Sequence, residues 1–260
     1  MCKNIMKIEN LSFGYQQNRI INDVNCDIEE GKFISLIGPN GSGKSTMLKL
    51  ICGILEKEQG DIFYKDQNIE DINILDRAKE ITAIHQREKN EFPFSCMDTV
   101  IMGLHPHRNR FEPINDDQLA LIEEIMIKTD TLQFADKLIT EISGGELQRV
   151  ILARALVQQP KLLLMDEAMS DMDVNAKINL TKLVKEMVDE KGVTVLAVNH
   201  DLNLAYKFSD QIIAVNNGTV DSTGNPDSVM NEAFFERVFK VKADIIKGKG
   251  FFIHDNIDEQ

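Results

Sequence analysis

"FISLIGPNGSGKST", residues 33 to 46, joins a β-prone run to a glycine-rich loop that ends in lysine, serine and threonine. The loop fits G-x-x-x-x-G-K-[ST] through Gly38, Gly43, Lys44 and Ser45, and the helical stretch "TMLKLICGIL" follows it directly. Strand, loop and helix in that order are the context a phosphate loop needs. Glycines let backbone N–H groups converge on a β-phosphate, and the helix N-terminus adds the positive end of its dipole. Lys44 supplies a point charge for the β and γ oxygens, and Ser45 can ligate Mg²⁺. The expected phosphate contacts are Gly38, Pro39, Asn40, Gly41, Ser42, Gly43, Lys44, Ser45 and Thr46.

Working outward, short β-rich runs alternate with helical periodicity, which predicts a parallel sheet with crossover helices. "ITAIH" (81 to 85), "KLLLMD" (161 to 166) and "VTVLAV" (193 to 198) match "FISLIG" in being apolar enough for strands covered on both faces. Leu180, Leu183, Val184, Met187 and Val188 carry helical core spacing, and Gly192 ends that helix. Residues 1 to 30 and 60 to 70 read as antiparallel strands. Residues 95 to 140 hold no convincing buried strand, yet "DDQLALIEEIMIKT" is helical, so a helical lobe is expected between two core strands. Asn217-Gly218 predicts a hairpin turn. Residues 226 to 260 read as a helix and then a small hairpin turning at "KGKG".

"LLLMDE" places Asp166 and Glu167 at the end of a strand, where one carboxylate can hold Mg²⁺ through water and the other can orient or deprotonate an attacking water. Many buried strands end in an acid pair. After a phosphate loop, in an alternating chain, the pair points to an NTPase.

The chain has 260 residues, 43% of them hydrophobic and 27% charged, the profile of a protein with a sizeable core. Its 29 Lys and Arg stand against 42 Asp and Glu, a formal net charge of −13. Binding to nucleic acid or anionic lipid is therefore disfavoured. No window approaches a membrane span, and "MCKNIMKIEN" lacks a signal-peptide core, so a cytoplasmic chain is expected. Cys2, Cys26, Cys52 and Cys96 are scattered without a CxxC pair, which predicts reduced, mostly buried thiols.

"ISGGELQRVILARALVQQP", residues 142 to 160, opens a helix with Ser143, Gly144 and Gly145 and closes it before Pro160. A serine hydroxyl and exposed glycine N–H groups at a helix start make a second anion site. At this point the sequence resembles the ATP-binding cassette ATPases, whose signature is usually LSGGQ, in motif order over roughly residues 6 to 224. The resemblance implies an α/β fold, a P-loop NTPase (RecA-like) core with an antiparallel β subdomain and an inserted helical subdomain. It implies one nucleotide-binding domain over residues 1 to 260, with the helical part at about 87 to 142 and a small extension at about 225 to 260.

The same resemblance assigns roles. Tyr15 in "FGY" stacks on adenine; Gln86 is the glutamine that senses Mg²⁺ and the attacking water; Asp173 in "SDMD" is the D-loop aspartate; His200 in "VNHD" contacts the γ-phosphate. Glu167 acts as the base with Lys44, Gln86 and His200 around the reaction, and Ser45, Gln86 and Asp166 serve the metal. Two such chains pair head to tail, so that Ser143, Gly144, Gly145 and residue 146 close on ATP held by the partner's phosphate loop. Three residues depart from the usual pattern: Glu146 replaces the signature glutamine, Ala168 the proline after the base, and Ile142 the leucine.

"FPFSCMDTVIMGLHPHR", 92 to 108, with its "TV…G…PH" pattern, and the tail "FFERVFKVKADIIKGKGFFIHD" resemble importers of iron chelates, haem and cobalamin, although Leu104 stands where that group often has arginine. This implies an ATPase at the cytoplasmic face of the membrane, docked on permease subunits and served indirectly by a solute-binding protein. A cassette for another cargo such as a metal ion, or a soluble non-transport cassette ATPase, is the alternative. His105 and His107 read as loop or surface residues, since three metal ligands cannot be assembled there.

Overall fold

The computed structural model describes residues 3–16, 18–85, 92–109, 112–169 and 172–254. The chain begins with strands β1 (Asn4–Tyr15), β2 (Asn18–Glu29) and β3 (Phe33–Ile37), helix α1 (Lys44–Ile51), and strands β4 (Gln59–Tyr64) and β5 (Gln67–Asn68). Helix α2 (Ile74–Glu80), strand β6 (Ile81–Ile84), helices α3 (Cys96–Ile101), α4 (Asp116–Lys128) and α5 (Gly144–Val157), strand β7 (Leu162–Asp166) and helix α6 (Val174–Lys191) follow. The last part holds β8 (Thr194–Val198), α7 (Leu202–Phe208), β9 (Gln211–Asn216), β10 (Thr219–Gly224), α8 (Pro226–Val229), β11 (Lys242–Ile246) and β12 (Gly250–His254). These gather into two compact units, one of Met1–Asp71 with Thr194–Gln260 and one of Ile72–Val193.

In the first unit, β1 pairs antiparallel with both β2 and β4, and β4 with β5, as the alternating segments predict. β3 lies between β8 and β9 and is parallel to both; β10 returns antiparallel to β9. Every residue of β3 and β8 is buried, which explains why these strands read as continuous apolar runs. The hairpin turn between β9 and β10 has positive φ at Asn217 (48°) and Gly218 (78°), the conformation the Asn-Gly pair tolerates. The C-terminal segment folds as expected, with β11 and β12 forming a hairpin over the aromatic cluster of Phe234, Phe235 and Phe251. The Phe235 and Phe251 rings lie 4.4 Å apart. The Tyr206 hydroxyl donates to the Asp227 carboxylate and accepts from the Gly248 N–H, tying the hairpin turn to α7 and α8.

In the second unit, β6 and β7 run parallel, and the helices of the expected lobe lie between them in sequence. Between residues 95 and 140 the described residues show one bridge, Ser95 with Leu138, and no longer ladder. Each helix start is built from its own sequence. Ser95 caps α3, Asn115 and Gln118 form a capping box on α4, and Asp173 caps α6 through the Ala176 N–H at 2.9 Å. Gly192 ends α6 in the left-handed conformation (φ 66°), and the stripe of Leu180, Leu183, Val184, Met187 and Val188 is buried. Among the described cysteines, Cys26 and Cys96 are buried and free. Burial, helped by Asp27, pushes the Cys26 thiol up to about 12.

The "TV…G…PH" pattern has an internal physical basis. Thr99 Oγ1 donates to the Ser95 carbonyl (2.9 Å), Val100 is fully buried, and His107 Nε2 bonds the Gln158 carbonyl (2.9 Å). A Cβ on Gly103 would lie 2.1 Å from the Arg154 carbonyl oxygen, so the segment Met102–His107 approaches α5 backbone to backbone. Leu104 is buried beside it. Gly103→Ala should therefore overpack this contact and destabilise the protein by about 1–3 kcal/mol. The check is the urea unfolding midpoint, and an unchanged midpoint would contradict the contact.

Candidate functional site

In the first unit the loop after β3 has positive φ at Gly38 (149°), Gly41 (77°) and Gly43 (104°). A Cβ on Gly38 would sit 1.9 Å from the Val215 carbonyl oxygen, so no other residue fits this position. The loop is also hydrogen-bonded to the hairpin turn: the Gly218 N–H donates to the Ser42 carbonyl (3.1 Å), and the Asn22 N–H to the Gly218 carbonyl (2.8 Å). Within the loop, the Ser42 N–H reaches the Pro39 carbonyl (3.2 Å). Lys44 is 5% exposed, and its Nζ donates to the carbonyls of Gly38 (2.9 Å) and Pro39 (2.8 Å). The ammonium is thus laid back over the loop it serves. The buried Ser42 hydroxyl has no hydrogen-bond partner, a donor left for a group the protein does not itself provide.

Two more expected residues belong to this unit. Tyr15, at the end of β1, is 46% exposed and touches the Phe13 ring edge-on at 4.9 Å, leaving ring surface available for stacking. His200 follows β8 in an exposed bend, where α7 starts with Asp201 as its cap. A polar chain at that strand end was not anticipated from the sequence. Asn199 Nδ2 donates to Ser35 Oγ (2.5 Å), which lies 2.6 Å from Ser209 Oγ, and the Asn199 N–H reaches the Leu36 carbonyl (3.2 Å). The signal was Ser35, a hydroxyl within an otherwise apolar buried strand.

In the second unit, Asp166 is the last residue of β7 and is buried. Glu167 follows it with φ 52°, left-handed backbone that a glutamate rarely adopts. Strain of this kind persists where the surrounding structure fixes it, and here it coincides with the end of β7. Ala168, in the usual place of proline, is buried. Asp173 is held as the α6 cap described above. Gln86 lies outside the described residues.

Ser143 caps α5, and Glu146 closes a capping box with it. Gly144 and Gly145 occupy the first turn with ordinary helical φ, and an added Cβ on either would meet nothing within 4 Å. Among the described residues no neighbour requires glycine there, although glycine costs a helix interior roughly 1 kcal/mol against alanine.

The donors named for the metal are oxygen atoms, the Ser45 hydroxyl, the Asp166 carboxylate and an amide oxygen. That set suits a hard cation such as Mg²⁺. The unpartnered Ser42 hydroxyl and the positive-φ loop suit a phosphate.

A family profile described as ABC transporter matches residues 21–170. The chain is 34% identical over 243 residues to the iron(3+)-hydroxamate import ATP-binding protein FhuC of Bacillus subtilis, covering 94% of this chain and 90% of that protein. It is 34% identical over 224 residues to the cobalamin import ATP-binding protein BtuD of Halobacterium salinarum, covering 86% of this chain. Here the chain spans only 56% of the relative's length. The dimeric structure of MJ0796, described as a bacterial ABC transporter cassette, superposes with a TM-score of 0.76 at 26% identity, covering 85% of this chain and 98% of that one.

The open first turn of α5 yields a direct expectation. Gly145→Ala should leave thermal stability unchanged or raise it by up to about 1 kcal/mol, since the alanine meets no neighbour and restricts the unfolded chain. A lowered melting temperature would mean that glycine is needed within the chain itself.

Proposed function

The chain belongs to the ABC transporter family, and from that premise we propose that it binds and hydrolyses ATP to power uptake of an iron chelate, haem or cobalamin through a separate permease. The observation that carries the ATP part is the phosphate loop fixed by Val215 and Gly218, with Lys44 folded over its carbonyls. The cargo class is supported by the printed functions of the Bacillus and Halobacterium relatives.

On this reading, Tyr15 stacks on adenine while the loop N–H groups and the Ser42 hydroxyl receive phosphate oxygens. Lys44 leaves its own carbonyls for the β and γ oxygens, an exchange of neutral acceptors for charged ones. Ser45, Asp166 and Gln86 would hold Mg²⁺, which when bound offsets charge on the phosphate oxygens. Glu167 accepts the proton of the attacking water as its oxygen bonds to the γ-phosphorus and the bond to the β-phosphate oxygen breaks, releasing ADP. His200 steadies the γ-phosphate. Ser143 and Gly145 contact ATP held by a second copy arranged head to tail. This gives Gly144 and Gly145 the purpose that the chain alone does not, close approach of another molecule to the helix start.

The chain is expected to act as one nucleotide-binding domain at the cytoplasmic face of the membrane. None of the described helices is long and apolar enough to cross a membrane. With a net charge of −13 it would dock on permease protein and not on anionic lipid. Phe92 (70% exposed) and Phe94 (44% exposed), with rings 6.1 Å apart, are exposed aromatic residues of the importer-like segment and are available for such docking. Thr99, Val100, Gly103 and Leu104 are used internally.

Two experiments check this. Glu167→Gln should still bind MgATP and accumulate as an ATP-bound dimer, yet lose turnover by ~10²-fold or more; near-normal phosphate release would remove Glu167 as the base. A deletion strain should lose uptake of labelled iron-siderophore, haem or cobalamin. Phe92→Ala with Phe94→Ala should impair that uptake while leaving most of the isolated ATPase. Normal uptake of all three compounds, with no substitute ATPase induced, would refute the cargo assignment.

A further inference from the structure

Glu146 stands where the signature usually has glutamine, and its geometry gives the difference a consequence. Its carboxylate accepts the Ser143 N–H at 2.7 Å, while its own N–H reaches the Ser143 hydroxyl oxygen at 3.4 Å. The backbone and hydroxyl of Ser143 hold the carboxyl below the usual carboxylate range, so it is an anion at neutral pH. The first turn of α5 therefore carries a negative charge of its own, at the helix end whose dipole and unsatisfied N–H groups would otherwise attract one. One of the orphan donors near that end, the Ser143 N–H, is already taken. Arg149 and Lys137 are the cations that act on the carboxylate, and Arg149 is shared with Asp130 at 3.6 Å. Glutamine would offer the same oxygen to the Ser143 N–H without the charge.

We propose that Glu146 sets the ATP concentration at which two chains close, by repelling the phosphate that Ser143 and Gly145 must receive from the partner. The inference rests on the reading of these residues as contacts to ATP held by the second copy. The carboxylate holds Ser143 in place and opposes the incoming γ-phosphate, two effects that one substitution separates. Glu146→Gln keeps the side-chain half of the capping box and deletes the charge; Glu146→Ala deletes both and leaves only the backbone N–H of residue 146 on the Ser143 hydroxyl.

The test uses the full chain carrying Glu167→Gln, titrated with MgATP and followed by sedimentation. Adding Glu146→Gln should lower the ATP needed for half-maximal dimer by roughly three- to sevenfold, the size of one unit charge about 7 Å from a phosphate charge at an effective permittivity of about 40–80. The gap between the two chains should shrink between low and high salt, because the repulsion is screened. Glu146→Ala should also lower the ATP requirement per folded chain, while its melting temperature falls below that of Glu146→Gln for want of the acceptor on the Ser143 N–H. If Glu146→Gln leaves the ATP requirement unchanged, or raises it, while the parent closes normally, the electrostatic role is overturned and the shared site stands. If the parent forms no ATP-dependent dimer at all, the shared-site reading fails and this inference with it.

Discussion

Gly38 can lie where it does because it has no side chain. The carbonyl oxygen of Val215 occupies the position a Cβ would take, at 1.9 Å, and the backbone at φ 149° is open to glycine. From this contact the rest of the phosphate loop is determined. Ser42 can then meet the Gly218 N–H, and the carbonyls of Gly38 and Pro39 turn toward Lys44. The loop is a product of the hairpin it rests on as much as of its own sequence. A mismatch at either member would shift the backbone groups on which phosphate recognition depends, and misplacements of that size are costly to catalysis.

The buried strands were legible because burial on both faces leaves a simple mark, an apolar run closed by a polar or glycine residue. β3, β7 and β8 carried it and are buried throughout, whereas β6, read the same way, leaves Thr82 and Ala83 only half-buried. The α6 stripe and its glycine stop were legible for a similar local reason, as was the helix start at Ser143. Glu167's left-handed backbone was not, since nothing in "LLLMDEAM" distinguishes a strand that continues from one that turns at the acid. The polar chain of Ser35, Asn199 and Ser209 also escaped, because it joins residues far apart in sequence through a strand pairing that sequence alone does not specify.

The segment from 92 to 108 shows the reverse problem. Its pattern was read as a mark of the partner, and much of it proves to serve the lobe itself through Gly103 against α5 and His107 on Gln158. A motif shared within a group of transporters can therefore record how a lobe is packed as well as what the lobe touches. The glycines of α5 are the opposite case. Among the described residues no neighbour excludes a side chain at either position, in contrast to Gly103.

The contact between Gly38 and Val215 also has a meaning in time. Val215 leaves the ribosome roughly 175 residues after Gly38, which at about 5–20 residues per second is a lag of roughly 10 to 35 seconds. The whole unit Ile72–Val193 is synthesised in that interval, since the first unit is discontinuous in the chain. The nascent phosphate loop is thus made early and shaped late. A chain caught in mid-synthesis carries the complete motif without the carbonyl and the turn that hold it, and the loop takes this shape only once Val215 and Gly218 have arrived.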